Sequence, residues 1–231
     1  MEKMVLQIPL ILLVLHIQGG ELTRSPVCSP IAEAPQPEVV EFNNTIYATC
    51  EVTPSPNLPR SQPKIFGQIL FKQVFPDGVL EVKVNLRGFP AKDRQERAID
   101  VHRYGDLSQG SVTVGPPYNP NGVDRPSRPG DMGNFASEKG VIRLSLDLPE
   151  AKLFGAHSIL GRSVVVHEKE GHFGMGSDEE SQQSGCSGPI IAYGVIGITS
   201  PGLWEKTGPL PRKSCGGRRD HRHIHGPPCL R

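Results

Sequence analysis

The sequence predicts an all-β domain, and three observations carry that expectation. Glycine and proline are abundant, 26 and 23 among 231 residues, as in chains with many turns. The stretches IFGQILFKQVF, GVLEVKVNLRGF, GVIRLSLDL and SVVVHE alternate apolar and polar residues, the two-residue period of a half-buried strand. Long apolar stripes of helical period are few. The formal net charge is only +1, and no nucleic-acid partner is expected.

The first twenty residues hold Lys3, an apolar run from Met4 to Ile17 interrupted by Gln7, Pro9 and His16, and then Gly19-Gly20. That layout predicts a secretory signal peptide over residues 1–20, too short for a membrane span. The bland alternative is an uncleaved anchor. No other stretch is long and apolar enough to cross a membrane. Residues 21–45 are rich in Pro and acidic side chains and read as an extended linker. Within them Asn43-Asn44-Thr45 is a glycosylation sequon, expected on exposed backbone in a secreted chain.

Residues 46–200 form the predicted domain, long enough to bury a core without a metal or a disulfide. IIAYGVIGI is the most continuously apolar segment and is expected to be a central strand buried on both faces. The strand pattern from Ala98 to Tyr104 places Asp100 and His102 on one face, where they form a candidate ligand pair. A long Gly/Pro/Asn-rich loop follows, too organised in its turn signals for a linker, and ends on Gly130-Asp131. His167 closes a second strand, SVVVH.

RAIDVHRYGDLSQG, GPPYNPNG, PGDMGNFA, GAHSILGRSVVVH and SPGLWE, in that order, resemble the Cu/Zn superoxide dismutases and more narrowly their secreted branch. The likeness covers Tyr47 to Glu205. It implies a flattened Greek-key β-barrel of eight strands with two long loops, Gly105 to Met132 and Glu168 to Pro189. In the family, an H-x-H strand gives two copper ligands, a Gly-Pro-His gives the histidine bridging copper and zinc, and two histidines with an Asp complete the zinc site. A distant strand-end histidine is the last copper ligand.

Carried over by position, the resemblance places His102 and His167 at copper-ligand positions and Asp131 at the zinc-ligand position. Asp100 stands for the first His of H-x-H and is a possible substitute ligand, while Pro117 stands for the bridging histidine. Arg125 and Arg128 stand for the remaining zinc histidines, and Gly171 for the Asp that links the two sites. Ser111 and Tyr193 occupy the positions of the internal disulfide, and Ile190 that of the Arg that guides superoxide. A full copper/zinc pair is therefore not expected, and one copper or zinc ion is the most the surviving set suggests. Three classes follow: a secreted, non-catalytic binding or structural module, a protein holding one ion on Asp100, His102 and His167, or a dismutase with a substitute ligand such as His172. Asp131, without zinc, is expected to be neutralised by Arg125 or Arg128.

The cysteines number five, at 28, 50, 186, 215 and 229. In an oxidising compartment an odd count means a free thiol or a bond between chains, so a disulfide-linked oligomer stands beside a homodimer among the expected assemblies. Cys50 and Cys186 are the candidates to replace the internal disulfide. Residues 201–231 are expected to be a disordered basic tail, with Arg212, Lys213, Arg218, Arg219 and Arg222 broken by Gly and Asp220. The resemblance implies a heparan sulfate-like polyanion as its partner. His221, His223 and His225 alternate along the same tail and form a weak metal signal.

Overall fold

The structure, a computed structural model, describes residues 37–124, 127–171 and 187–213. Its eight strands are β1 (Thr45–Pro54), β2 (Phe66–Val74), β3 (Leu80–Arg87), β4 (Glu96–His102), β5 (Asp131–Ala136), β6 (Val141–Leu148), β7 (Ser163–His167) and β8 (Ile190–Ile198). They run antiparallel in the order β5-β4-β7-β8-β1-β2-β3-β6, so β3 neighbours β6 and β4 neighbours β7 across Greek-key crossovers. The barrel is nearly closed, with its seam between β5 and β6. Among the described residues, helix is confined to α1 (Pro37–Glu41), α2 (Gly202–Thr207) and one 3-10 turn at Gly110–Val112. The all-β barrel expected from the sequence is thus present, with one turn of 3-10 helix and no α-helix between Ile65 and Ile198 among the described residues.

Side-chain alternation builds the core. In β1, Ile46, Ala48, Cys50 and Val52 point inward and are buried, as are Leu80, Val82, Val84 and Leu86 in β3. These two strands sandwich Ile69 and Phe71 of β2 in sequence and share one continuous core with β6, β7 and β8. Gln73 is the polar member of β2's inward row, and its amide is fully satisfied in kind: Nε2 donates to Gly78 O at 2.7 Å and Oε1 accepts from Leu153 N–H at 2.7 Å. That pairing ties two loops to one barrel end without an unmet polar group. β8 differs from the two-sided strand expected. It is central, between β7 and β1, but only Ile191 to Gly194 lies against structure on both faces, while Val195 and Ile198 are exposed. At Gly194 a Cβ would stand 2.1 Å from Glu51 O and 2.8 Å from Cys50 Sγ, so β1 and β8 approach more closely than any side chain allows.

The domain also reaches past both expected boundaries. In the expected linker, residues 37–45 form α1 and the start of β1, because Val39 is fully buried in the core and Phe42 meets Tyr47 edge to face. The expected tail is described as far as Lys213. Trp204 of α2 lies over Lys83 of β3, with Nζ 4.1 Å from the ring centre and hydrogen-bonded to Trp204 O. Beyond α2 the chain runs along the outer edge of β6: Ser145 N–H donates to Pro211 O, and Lys213 N–H to Ser145 O, each at 2.8 Å. A short strap so covers an edge that would otherwise present unpaired backbone. Residues 1–36 and 214–231, which include the expected signal peptide, Arg218, Arg219, Arg222 and the tail histidines, lie outside the described residues.

Candidate metal centre

The site sits where β4 meets β7, and both strands are irregular there. The register of β4 against β5 shifts between Ile99 and Asp100, and that of β7 against β8 shifts between Val166 and His167. Such bulges bend a strand and re-aim the next side chain. Here they aim Asp100, His102 and His167 into one buried space, at 1%, 4% and 5% exposure. His102 Nε2 and His167 Nε2 are 3.4 Å apart, and Asp100 Oδ2 is 3.8 Å from His167 Nε2.

The two long loops fix the rings. His102 Nδ1 is 2.6 Å from Gly115 O, and His167 Nδ1 is 3.1 Å from Gly188 O. A carbonyl only accepts, so each Nδ1 donates to it, and each Nε2 is left facing the other ring. A backbone carbonyl behind an imidazole is a usual way of orienting a metal ligand. The carbonyls come from opposite loops, one following β4 and the other leading into β8. No sequence motif marks a carbonyl, and these partners were not foreseen.

The first loop folds back onto its own strand. Arg103 N–H donates to Pro116 O at 2.9 Å, Tyr118 N–H to Val101 O at 2.8 Å, and Val101 N–H to Gly130 O at 2.7 Å. His102 thereby pairs across from Pro117. The loop is clamped by Arg162, whose guanidinium lies 3.7 Å from the Tyr118 ring centre while NH1 donates to Arg103 O and Nε to Ser158 O. Gly171 is held by Asn134, which accepts from Gly171 N–H at 2.9 Å and donates to Gly171 O at 3.2 Å. Arg162 and Asn134 were not singled out in the sequence; a half-buried amide in the mainly buried strand DMGNFA was the available signal for the second.

The structure brings Asp100, His102 and His167 together and places Asp131 at the start of β5, paired across from Asp100. Asp131 is buried, at 5% exposure, and accepts at 3.3 Å from the backbone N–H of Arg128. The Arg128 side chain turns away, with Nε donating to Val123 O at 3.2 Å. A tight turn brings the Arg128 amide toward the carboxylate, so Arg128 reaches Asp131 through its main chain. Arg125 and His172 lie outside the described residues.

Pro117, at the position that the resemblance gives to a bridging histidine, has no donor atom in its side chain. For one ion, His102 and His167 are placed as two nitrogen donors, with Asp100 nearest His167. The three follow one another in a row, and among the described residues no three His, Cys, Asp or Glu side chains form a metal-holding group.

Beside the site, Tyr193 and Ile190 are not polar replacements but part of a second apolar cluster. Tyr193 is buried with Val114 and Val165, and Leu107 and Ile190 pack against them. Cys50 is a free thiol, fully buried, so the suggested bond from Cys50 to Cys186 is not made. Its place on the inward row of β1 explains why: it packs as a small apolar group facing the core. Cys186 lies outside the described residues. Of the tail cations, Arg212 is ion-paired with Asp147, and Lys213 Nζ donates to Asn134 O and lies 3.9 Å from the Phe135 ring centre. Both contact the barrel through the strap, and Arg212 stays largely exposed. No helix among the described residues is long and apolar enough to cross a membrane.

Comparison with known proteins places this geometry. The sequence model of the family described as copper/zinc superoxide dismutase matches residues 65–196. The extracellular Cu-Zn superoxide dismutase of Homo sapiens is 42% identical over 165 residues, covering 71% of this chain and 69% of that protein. Its counterpart in Mus musculus is 46% identical over 164 residues, 69% of this chain and 64% of the mouse protein. The Cu-Zn superoxide dismutase of Schizosaccharomyces pombe is 36% identical over 146 residues, 60% of this chain and 94% of the yeast protein. The chain thus spans about two thirds of the extracellular relatives and nearly all of the yeast one.

Proposed function

The chain belongs to the copper/zinc superoxide dismutase family, and from that premise we propose that it is a secreted member acting as an extracellular binding or structural module without efficient dismutase activity. It is extracellular, as its relatives of that name are. The observation that carries the reading is Pro117 set opposite His102, where a histidine would have to join two metals. Dismutation needs a redox-cycling copper held by several imidazoles. This chain offers two at the centre, and loss of a supporting partner alone typically costs about 10- to 100-fold in affinity or activity. Ile190, packed on an apolar cluster, provides no cation to draw in an anion.

The scaffold supports a module role because its stability does not rest on metal. Core, strap and the second apolar cluster are all built from side chains already in place. The exposed apolar side chains Tyr104, Val112 and Val195 favour self-association as a homodimer, and the cations at Arg218, Arg219 and Arg222 favour a heparan sulfate-like polyanion. A second reading is favoured by the 3.4 Å approach of the two Nε2 atoms: His102 and His167 hold one copper or zinc ion with Asp100 as the third ligand.

The test is restoration. Asp100→His, Pro117→His, Arg125→His, Arg128→His and Gly171→Asp, made together, are expected to recover binding of both metals on an intact barrel. A correctly folded variant that takes up neither metal would overturn the ligand assignments on which the reading rests.

A further inference from the structure

The chain holds one N-x-S/T sequon, Asn43-Asn44-Thr45, and we propose that Asn43 carries an N-linked glycan that covers an apolar patch of Val40, Val74 and Val79 at one end of the barrel. The proposal rests on the extracellular reading of the chain and is independent of its metal site.

The sequon occupies the tight turn between α1 and β1. Asn43 and Asn44 are exposed and both left-handed, with φ of 52° and 58°, a conformation that Asn tolerates better than most residues. The turn is held from inside by backbone: Asn44 N–H donates to Val39 O at 2.8 Å, and Thr45 N–H to Phe42 O at 3.1 Å. The Asn43 side chain is not needed for any of these bonds, so a bulky group on it leaves the turn intact. A glycan would root on a fixed platform.

Near the same turn, in sequence or across the strand pair, three apolar side chains are left in water. Val40 is 68% exposed, Val74 45% and Val79 48%. Val40 lies on α1 just before the sequon, and Val74 is the strand partner of Thr45. Phe75 N–H donates to Asn44 O at 2.7 Å, and Gly78 N–H to Val74 O at 2.8 Å, which brings the turn carrying Val79 to the same end. Clustered exposed apolar groups mark a surface that meets something or aggregates. Here the group that meets it is specified by the sequon at its centre.

The chemistry is a group transfer without redox change. A lipid-diphosphate-linked oligosaccharide, the donor in the secretory compartment, loses its C1–O bond as Asn43 Nδ2 forms a bond to C1. The electron pair leaves with the lipid diphosphate, and the amide gives up one proton to a base.

The full chain is expressed in secreting animal cells and recovered from the medium, then measured by intact and peptide mass before and after enzymatic removal of N-glycans. One glycan at Asn43 is expected. Asn43→Asp, which keeps a residue suited to the left-handed turn, loses it, and Thr45→Ser keeps it. Removing the glycan should raise binding of an apolar dye and promote self-association, and Val40→Lys with Val74→Thr and Val79→Thr should cancel both effects. Secreted protein with unmodified Asn43 overturns the proposal while leaving the extracellular reading standing. A glycan whose removal changes neither dye binding nor association overturns the covering role. A chain retained inside the cells overturns the extracellular reading and the proposal with it.

Discussion

Replacing Tyr193 by Ala removes the ring that stands where the family resemblance implies half of an internal disulfide. Tyr193 is 4% exposed and packs against Val114, Val165, Leu107 and Ile190, joining β8 to the loop that carries Gly110 and Val114. A Cβ on Gly110 would come within 3.6 Å of the phenol oxygen, so the loop lies directly on the ring. Truncating a buried aromatic to Ala costs about 3–5 kcal/mol. A native disulfide in a small secreted domain contributes about 2–5 kcal/mol. The ring therefore stabilises the loop by an amount similar to the cross-link. In a domain of this size 1 kcal/mol moves Tm by about 2–4 °C, so Tyr193→Ala should lower Tm by about 6–20 °C in calorimetry. Tyr193→Phe keeps the packing and should cost less than about 1.5 kcal/mol. A loss of less than about 3 °C for Tyr193→Ala would refute the view that this cluster substitutes for a covalent bond.

Burial pushes the Cys50 thiol up from 9.0 to about 12. The unfolded chain ionises this thiol first, so the stabilisation is complete below about pH 9 and is lost as pH rises toward 12. Unfolding midpoints from pH 8 to 11 should fall less steeply in Cys50→Ala than in the wild type, and an identical slope would contradict this. The native thiol should also resist alkylation until the chain is unfolded. Trp204, the one tryptophan, should report strap docking: Lys83→Met ought to shift its fluorescence and cost about 0.5–2 kcal/mol, whereas unchanged emission would mean that α2 docks without Lys83. On heparin, deletion of residues 214–231 should abolish salt-sensitive retention and Arg212→Ala should not, since Arg212 is engaged with Asp147. The reverse pattern would show that the strap, not the tail, binds the polyanion.

What the sequence disclosed follows from what periodicity can encode. β2, β3 and β6 lie within a residue or two of their alternating stretches, because burial on one face forces alternation, whereas β7 is buried at every position. β8 misled, since an unbroken apolar run does not distinguish a strand buried on two faces from one whose far half is exposed. α1 and the strap were hidden in Pro-rich and basic segments, where one anchoring side chain, Val39 or Lys213, decides docking and leaves no period. At the site, the gathering of Asp100, His102 and His167 was legible from strand spacing and family likeness. The carbonyls of Gly115 and Gly188 were not, because a backbone acceptor can belong to any residue type, and loop geometry alone selects these two.

The account turns on whether two metals are held. The direct measurement is metal content of the purified, secreted full chain, with superoxide dismutation assayed on the same sample. The account predicts no one-to-one copper and zinc pair, at most one ion, lost on His167→Ala, and no dismutation at a rate near that of the family. Copper and zinc bound in equal amounts to a protein active without any substitution would contradict it.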